Sequence, residues 1–314
     1  MDNFLFALNA TMPVFLVILL GYVLRRIGML TKPFCDVGDK FVFKVALPVL
    51  LFQDIRTTDL YQDFDWTFVL FCALGTTVMF FGVWGCAKLF LKDKTLVGAF
   101  AQGAARSSAA ILGVAFVQNL YGSAGMMPLM IVAAVPLFNI YSVIILTFSA
   151  PQTQGSGNQI KTACINVLKN PIIIGIVLGL IASLLRLELP TILNKTATSV
   201  GSLASPLALL IVGANFEGRK AIAKVKPTIW ATLTKLVFLP ALFLPIAIAL
   251  GFTGSALVAV LIMTGSPTTV TCYIMAKNMG NDPVLSSSIV VCATLFSSVT
   301  LTLWIFLLQC LGLI

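Results

Sequence analysis

Residues 98–122 read GAFAQGAARSSAAILGVAFVQNLYG. The stretch exceeds the roughly 20 residues that span a bilayer as helix, and its flanks are apolar. Its middle is different: Gly103 to Ser108 hold a glycine, alanines, two serines and Arg106. A charge near the bilayer centre costs about 3 kcal/mol on insertion scales, so an intramembrane arginine marks a functional site. Small polar residues around it predict a helix that breaks and frees backbone groups for a ligand.

The rest of the chain supplies the membrane context. Of its 314 residues, 59% are hydrophobic and only 10% charged, against about 25% charged in soluble domains. Mean hydropathy is +1.03. The chain is therefore a polytopic membrane protein. The net charge of +9 follows from basic residues in short loops, so no nucleic-acid partner is expected. The first positives, Arg25 and Arg26, follow the first apolar run, the reverse of a signal peptide's order. Histidine is absent and the seven cysteines are scattered, without metal or redox spacing. No metal, cofactor or enzyme activity is expected, because no nucleophile–base pair, paired carboxylates or ligand set is visible.

Ten apolar segments emerge, at roughly 4–24, 38–55, 66–90, 96–120, 124–149, 166–185, 191–215, 228–250, 254–279 and 284–312. With the N-terminus outside, fifteen of the twenty basic residues fall in five inner loops, while Arg56, Arg186 and Lys195 fall outside. This bias predicts a plasma or inner membrane protein with both termini outside. Two cations stay in the membrane. Arg106 lies roughly 15 Å into a core about 30 Å thick, and Lys235 roughly 10 Å in, within snorkelling reach of the basic side.

The one linker-like stretch, Pro151 to Asn158, divides the chain. Residues 1–150 form a first five-helix repeat, 151–169 a cytoplasmic linker and 170–314 a second repeat. An offset of 158 pairs Pro13 with Pro171, Gly21 with Gly179, Pro48 with Pro206 and Gly122 with Gly280. Five is odd, so the second repeat is inverted, as in many secondary transporters. The same offset sets Ser108-Ala109 opposite Ser266-Pro267, where Gly265-Ser266-Pro267 breaks segment nine. The expected architecture is all-α, with ten transmembrane helices as two inverted repeats and with helices 4 and 9 broken and crossing at the midplane. Ala109, Gly113, Gly265 and Pro267 mark the crossing.

If the second halves of both helices begin at the midplane, their positive N-termini converge beside Arg106, with no acidic residue in the membrane to oppose them. That is an anion site, and a carboxylate fits the bidentate reach of arginine. The candidate substrate-binding residues are Arg106, Ser107, Ser108, Gln102, Ser266, Pro267, Thr268, Thr269, Gln53 and Asn139. The uncharged amides among them equally suit interhelical hydrogen bonds. The Gly175–Gly179 pair is a GxxxG match of low information.

The stretches LPVLLF (47–52), QGAARSSAAILG (102–113), KNPIIIGIVLG (169–179), SPLALLIVGA (205–214) and GSPTTVTCYIMAKNMG (265–280) resemble, in this order, the auxin efflux carrier family. Bacterial members of that family are malate or malonate permeases, and the plant relatives are auxin carriers. The resemblance implies ten helices in inverted repeats, broken helices four and nine, a scaffold of helices one, two, six and seven, a mobile transport part and a homodimer. Where family members often carry asparagine and proline in helix four, this chain has Ser108, Ala109, Val114 and Ala115. Helix four then either breaks on its small residues alone or breaks less sharply, and substrate identity does not transfer. The expected function is secondary transport of a small organic anion by alternating access. A ligand-binding sensor or an anion channel on the same fold is the alternative. The coupling ion, proton or sodium, stays open, since a side-chain proton relay lacks its usual parts.

Overall fold

The computed structural model describes residues 2–57, 65–109, 116–118, 120–122, 125–151 and 159–314. Among them the secondary structure is helical throughout. Helix α1 (Asp2–Arg26) is followed by α2 (Lys32–Phe41), which runs through a π turn (Val42–Ala46) into α3 (Leu47–Arg56). Next come α4 (Trp66–Phe90), α5 (Val97–Ala105), α6 (Met127–Ser149), α7 (Gln159–Leu168) and α8 (Pro171–Leu184). Then α9 (Thr191–Ser202) and α10 (Ala204–Ala214) form one hydrophobic span, and α11 (Gly218–Ala223) is short. After it, α12 (Val225–Leu233) passes through a second π turn (Thr234–Phe238) into α13 (Leu239–Ala249). The chain ends with α14 (Gly254–Gly265), α15 (Thr271–Asn278) and α16 (Pro283–Cys310).

Residues 66–90, 127–149, 191–214, 225–249 and 283–310 form five helices long and apolar enough to cross a membrane. They coincide with five of the expected segments. The segment read as 38–55 is longer than expected, because an amphipathic turn-and-a-half from Lys32 precedes it. Helix starts follow local chemistry. Asp65, Asn170 and Asp282 each accept a backbone N–H of the first turn, and Pro171 and Pro283 follow directly where no donor is needed. In the loop before α5, Thr95 donates to Asp93 and holds that carboxyl below its ordinary range.

The apolar interior divides in two. One core gathers α4, α5, α6, α13, α14 and α16 around Phe80, Phe138 and Met263. The other gathers α1, α2, α3, α8 and α10 around Leu47, Ile176 and Ile211, and it also holds Cys272 to Ala276 of α15. The second core also takes in Val143 and Leu146 of α6 and Val290 of α16, so α15 lies on the seam where the two cores meet.

Glycines set the spacing in the second body. A Cβ on Gly21 would overlap the carbonyl of Leu210, and one on Gly213 that of Ile18, so α1 and α10 touch backbone to backbone. A Cβ on Gly175 would lie 2.5 Å from the Pro48 carbonyl and one on Gly179 3.0 Å from that of Phe52. The GxxxG pair thus faces α3. Gly175→Leu is expected to force α8 from α3 and lower stability by about 1–3 kcal/mol, read as a lower thermal midpoint in detergent. Gly82→Leu, where no heavy atom lies within 4 Å of the added Cβ, is expected to leave the midpoint unchanged. Equal midpoints for both variants would contradict the close approach.

Candidate substrate site at the helix breaks

Helix α5 stops at Ala105. Arg106 then turns extended, at φ −76° and ψ 134°, and Ser107 and Ser108 continue without helix. No proline is involved. The freed carbonyls of the last turn are met by two donors from elsewhere in the chain: Thr268 Oγ1 donates to Gly103 O at 2.7 Å, and Lys235 Nζ to Ala105 O at 3.4 Å. Helix α14 stops at Gly265, where Ser266 is extended (ψ 158°) as a residue before proline must be. The two extended segments meet. Ser108 N donates to Pro267 O at 2.9 Å, and Ser107 Oγ donates to Met263 O. The break in α5 is thus real, and complementary backbone pairing from the other segment stands in for a proline. Ala109 is buried beyond the break. Gly113 lies outside the described residues.

Lys235 holds this junction. The expectation that it snorkels to the basic side is corrected: its side chain is fully buried, carried on the π turn of the α12–α13 span. Its ammonium donates to Thr264 O at 2.7 Å, to Ala105 O at 3.4 Å, to Met263 O at 3.5 Å and to Ser107 Oγ. A helix C-terminus carries about half a negative charge. The ends of α5 and α14 together therefore offset one ammonium, which is why Lys235 is buried without a carboxylate.

Arg106 points the other way, to α6 and α15. Nη2 donates to Asn139 Oδ1 at 2.6 Å, and Nη1 to Met275 Sδ at 3.0 Å and Ser142 Oγ at 3.4 Å. Asn139 is oriented by its own Nδ2 donating to Val135 O at 2.9 Å. Arg106 is 5% exposed, and among the described residues its ion-pair partners are none. An amide oxygen, a thioether and a hydroxyl satisfy its hydrogen bonds weakly and leave its charge uncompensated.

A cavity of about 790 Å³ opens at this point. It brings together Arg106, Ser107, Ser108, Ala109, Asn139, Pro267, Thr268 and Thr269 among the expected site residues. Gln102, Ser266 and Gly265 are buried just behind it. Gln102 Nε2 donates to Met275 Sδ at 3.4 Å, while Gln102 Oε1 and Ser266 Oγ find no hydrogen-bond partner among the described residues. Gln53 stands apart. Its Nε2 donates to Asn194 Oδ1 at 2.9 Å and Thr198 Oγ1 at 3.0 Å, tying α3 to α9.

Sequence reasoning missed several wall residues: Thr271, Ser205, Pro206, Leu47, Leu51, Phe138 and Thr294. The signal for two was present, since Thr271 continues the Thr268-Thr269 run and Pro206 is a repeat partner of Pro48. Asp54 also lines the cavity. Among the described residues no group of three His, Cys, Asp or Glu side chains could hold a metal ion.

Lys235→Met is expected to lower stability by about 2–4 kcal/mol, since it strands the buried acceptors at two helix ends. Thermal unfolding in detergent measures this. Lys44→Met, on an exposed position of the other π turn, serves as the neutral control. A Lys235→Met midpoint equal to wild type would contradict the capping role.

Residues 6–305 match the family described as membrane transport protein. The uncharacterized transporter YfdV of Escherichia coli strain K12 is 23% identical over 306 residues, which cover 96% of this chain and 97% of that protein. The lysosomal cholesterol signaling protein of Mus musculus is 23% identical over 251 residues, 76% of this chain and 29% of that protein. A helical membrane protein with two broken helices and a family match over nearly its whole length, the chain belongs to the membrane transport protein family, that of the auxin efflux carriers.

Proposed function

We propose that this protein is a secondary carrier of an organic anion with one carboxylate and an apolar body, working by alternating access. The observation that carries the reading is Arg106, a buried guanidinium that lines the cavity with only neutral partners. A ligand carboxylate would replace the weak acceptors with a charge-assisted, bidentate pair. Thr268 and Thr269 border the same space, and α15 begins there at Thr271, so its positive end adds to the field. Among the described wall residues Arg106 is the sole cation; eleven of the other twenty-four are Leu, Val, Phe or Pro, and eleven are polar, mostly Ser and Thr, with Asp54 the one carboxylate. A dicarboxylate would find no second cation. A cavity of this size suits a ligand larger than malonate.

Transport requires two bodies that move. The divided core supplies them: the α1–α3 and α8–α10 group acts as scaffold, and the α4–α6 and α12–α16 group carries the site. The ten-helix, inverted-repeat reading belongs to the same proposal, and the structure contains contacts that support it. The offset of 158 carries Phe52 onto Leu210, and these two carbonyls face Gly179 and Gly21, themselves an offset pair. The same offset carries Ala105 onto Met263, and Lys235 donates to both carbonyls. The basic loops set the orientation in a plasma or inner membrane, with both termini outside, and a homodimer is part of the proposal. The signalling relative favours a second reading, a ligand sensor, which binding without flux would assign.

The test is uptake of labelled malate, malonate and an aromatic monocarboxylate into proteoliposomes. Potential, pH and sodium gradients are imposed separately. Saturable uptake of the aromatic monocarboxylate is expected, with Arg106→Gln reducing it at least about thirtyfold. Uptake unchanged by Arg106→Gln would contradict the site.

A further inference from the structure

Three residues at the far end of α15 from the cavity form a cluster outside the site just described. Lys277 Nζ lies 3.0 Å from Asp36 Oδ1 and also pairs with Asp39 Oδ2. The Asp39 side chain is 2% exposed, while those of Asp36 and Lys277 are 44% and 27% exposed. Asp39 Oδ1 has no hydrogen-bond partner among the described residues. Two carboxylates thus share one ammonium, and the surplus negative charge falls on a group sealed from water. Such a charge is costly to keep and is relieved by one proton.

The other charged and titratable groups nearby do not supply a second counter-ion. On α2 itself are Cys35, buried, and Lys32 and Lys40, whose side chains are exposed. The adjoining π turn carries only the exposed Lys44. Arg25, at the end of α1, donates to Leu30 O at 3.0 Å. From α15 come Lys277 and Tyr273, whose ring centre is 5.9 Å from the ammonium. Helix α10, which also packs on α2, brings no titratable side chain between Ala204 and Ala214.

Position gives the cluster its meaning. Thr271 at one end of α15 lines the cavity, and Lys277 lies about 9 Å further along the helix. Asp36 and Asp39 belong to α2, in the scaffold body. The ion pair therefore fastens the half-helix that borders the substrate site to the body it must move against.

We propose that Asp39 is a proton-binding site whose ionised form latches α15 to α2 through Lys277, and whose protonation releases α15 from the scaffold. This rests on the carrier reading and names its coupling ion. A proton neutralises the Asp39 carboxylate. Lys277 then keeps only Asp36, an exposed partner of small energetic weight, and the latch weakens as pH falls. Removing Asp36 instead leaves one carboxylate for one ammonium, which favours ionised Asp39 and moves release to lower pH.

The experiment is hydrogen–deuterium exchange of the full-length protein in nanodiscs, from about pH 8 to about pH 5, with times scaled for the intrinsic rate. It needs no substrate. In the wild type, exchange in residues 271–279 is expected to rise roughly tenfold as pH falls. Asp39→Asn is expected to exchange fast at every pH, and Asp36→Asn to show the same rise displaced to lower pH. A flat wild-type profile would overturn the latch, as would a pH response retained by Asp39→Asn or an unshifted midpoint in Asp36→Asn. Failure of the two readings is separable: absent carboxylate uptake with an intact pH response removes the carrier reading alone, and uptake with a flat profile removes the latch alone.

Discussion

The junction depends on one buried ammonium. Two helices that stop inside an apolar body expose the carbonyls of their last turns, and each end carries about half a negative charge. Lys235 answers both ends at once, reaching Ala105, Met263 and Thr264 carbonyls and the Ser107 hydroxyl. The charge is balanced by backbone dipoles alone. With that in place, the backbones of the extended segments can pair, Ser108 N donating to Pro267 O.

The balance explains why two cations side by side behave differently. Lys235 is discharged on helix ends and has nothing left for a ligand. Arg106, one residue past the end of α5, is turned by its extended backbone to the opposite side and meets only Asn139, Ser142 and Met275. Its charge is therefore available to whatever enters the cavity. The same break leaves α14 inside one core and sets α15 on the seam where the two cores meet, so the site sits at that seam. In the proposed carrier, movement of one body against the other changes access to Arg106 without unfolding either core, as rigid-body transitions generally do.

Much of this was legible in the residues. Pro267, directly after Gly265 and Ser266, announces one break by removing a backbone donor beside a permissive glycine, and the lone arginine among small residues announces the other. The five long spans follow from length and hydropathy. What stayed hidden has a physical reason in each case. Depth along a segment says nothing about which face a side chain takes, so Lys235 read as a snorkelling lysine. It sits on a π turn, which inserts a residue and rotates everything after it, a shift invisible to a 3.6-residue period. The other π turn, Val42–Ala46, does the same between α2 and α3. Gln53 read as a site residue because an amide in an apolar helix needs a partner, but its partner is Asn194 across a helix seam. Asp39 carried no signal of its own in the sequence, because its burial arises from α10 and α15, remote in sequence.

The claim most central to this account is that the cavity offers a ligand one positive charge, that of Arg106, in a wall of apolar and hydroxyl-bearing side chains. Equilibrium binding of naphthalene-2-carboxylate and naphthalene-2,6-dicarboxylate to the purified protein, read by thermal shift against concentration, tests it most directly. The account predicts saturable stabilisation by the monocarboxylate, at least about tenfold weaker binding of the dicarboxylate, and loss of both in Arg106→Gln. Equal or tighter binding of the dicarboxylate, or binding that survives Arg106→Gln, would contradict it.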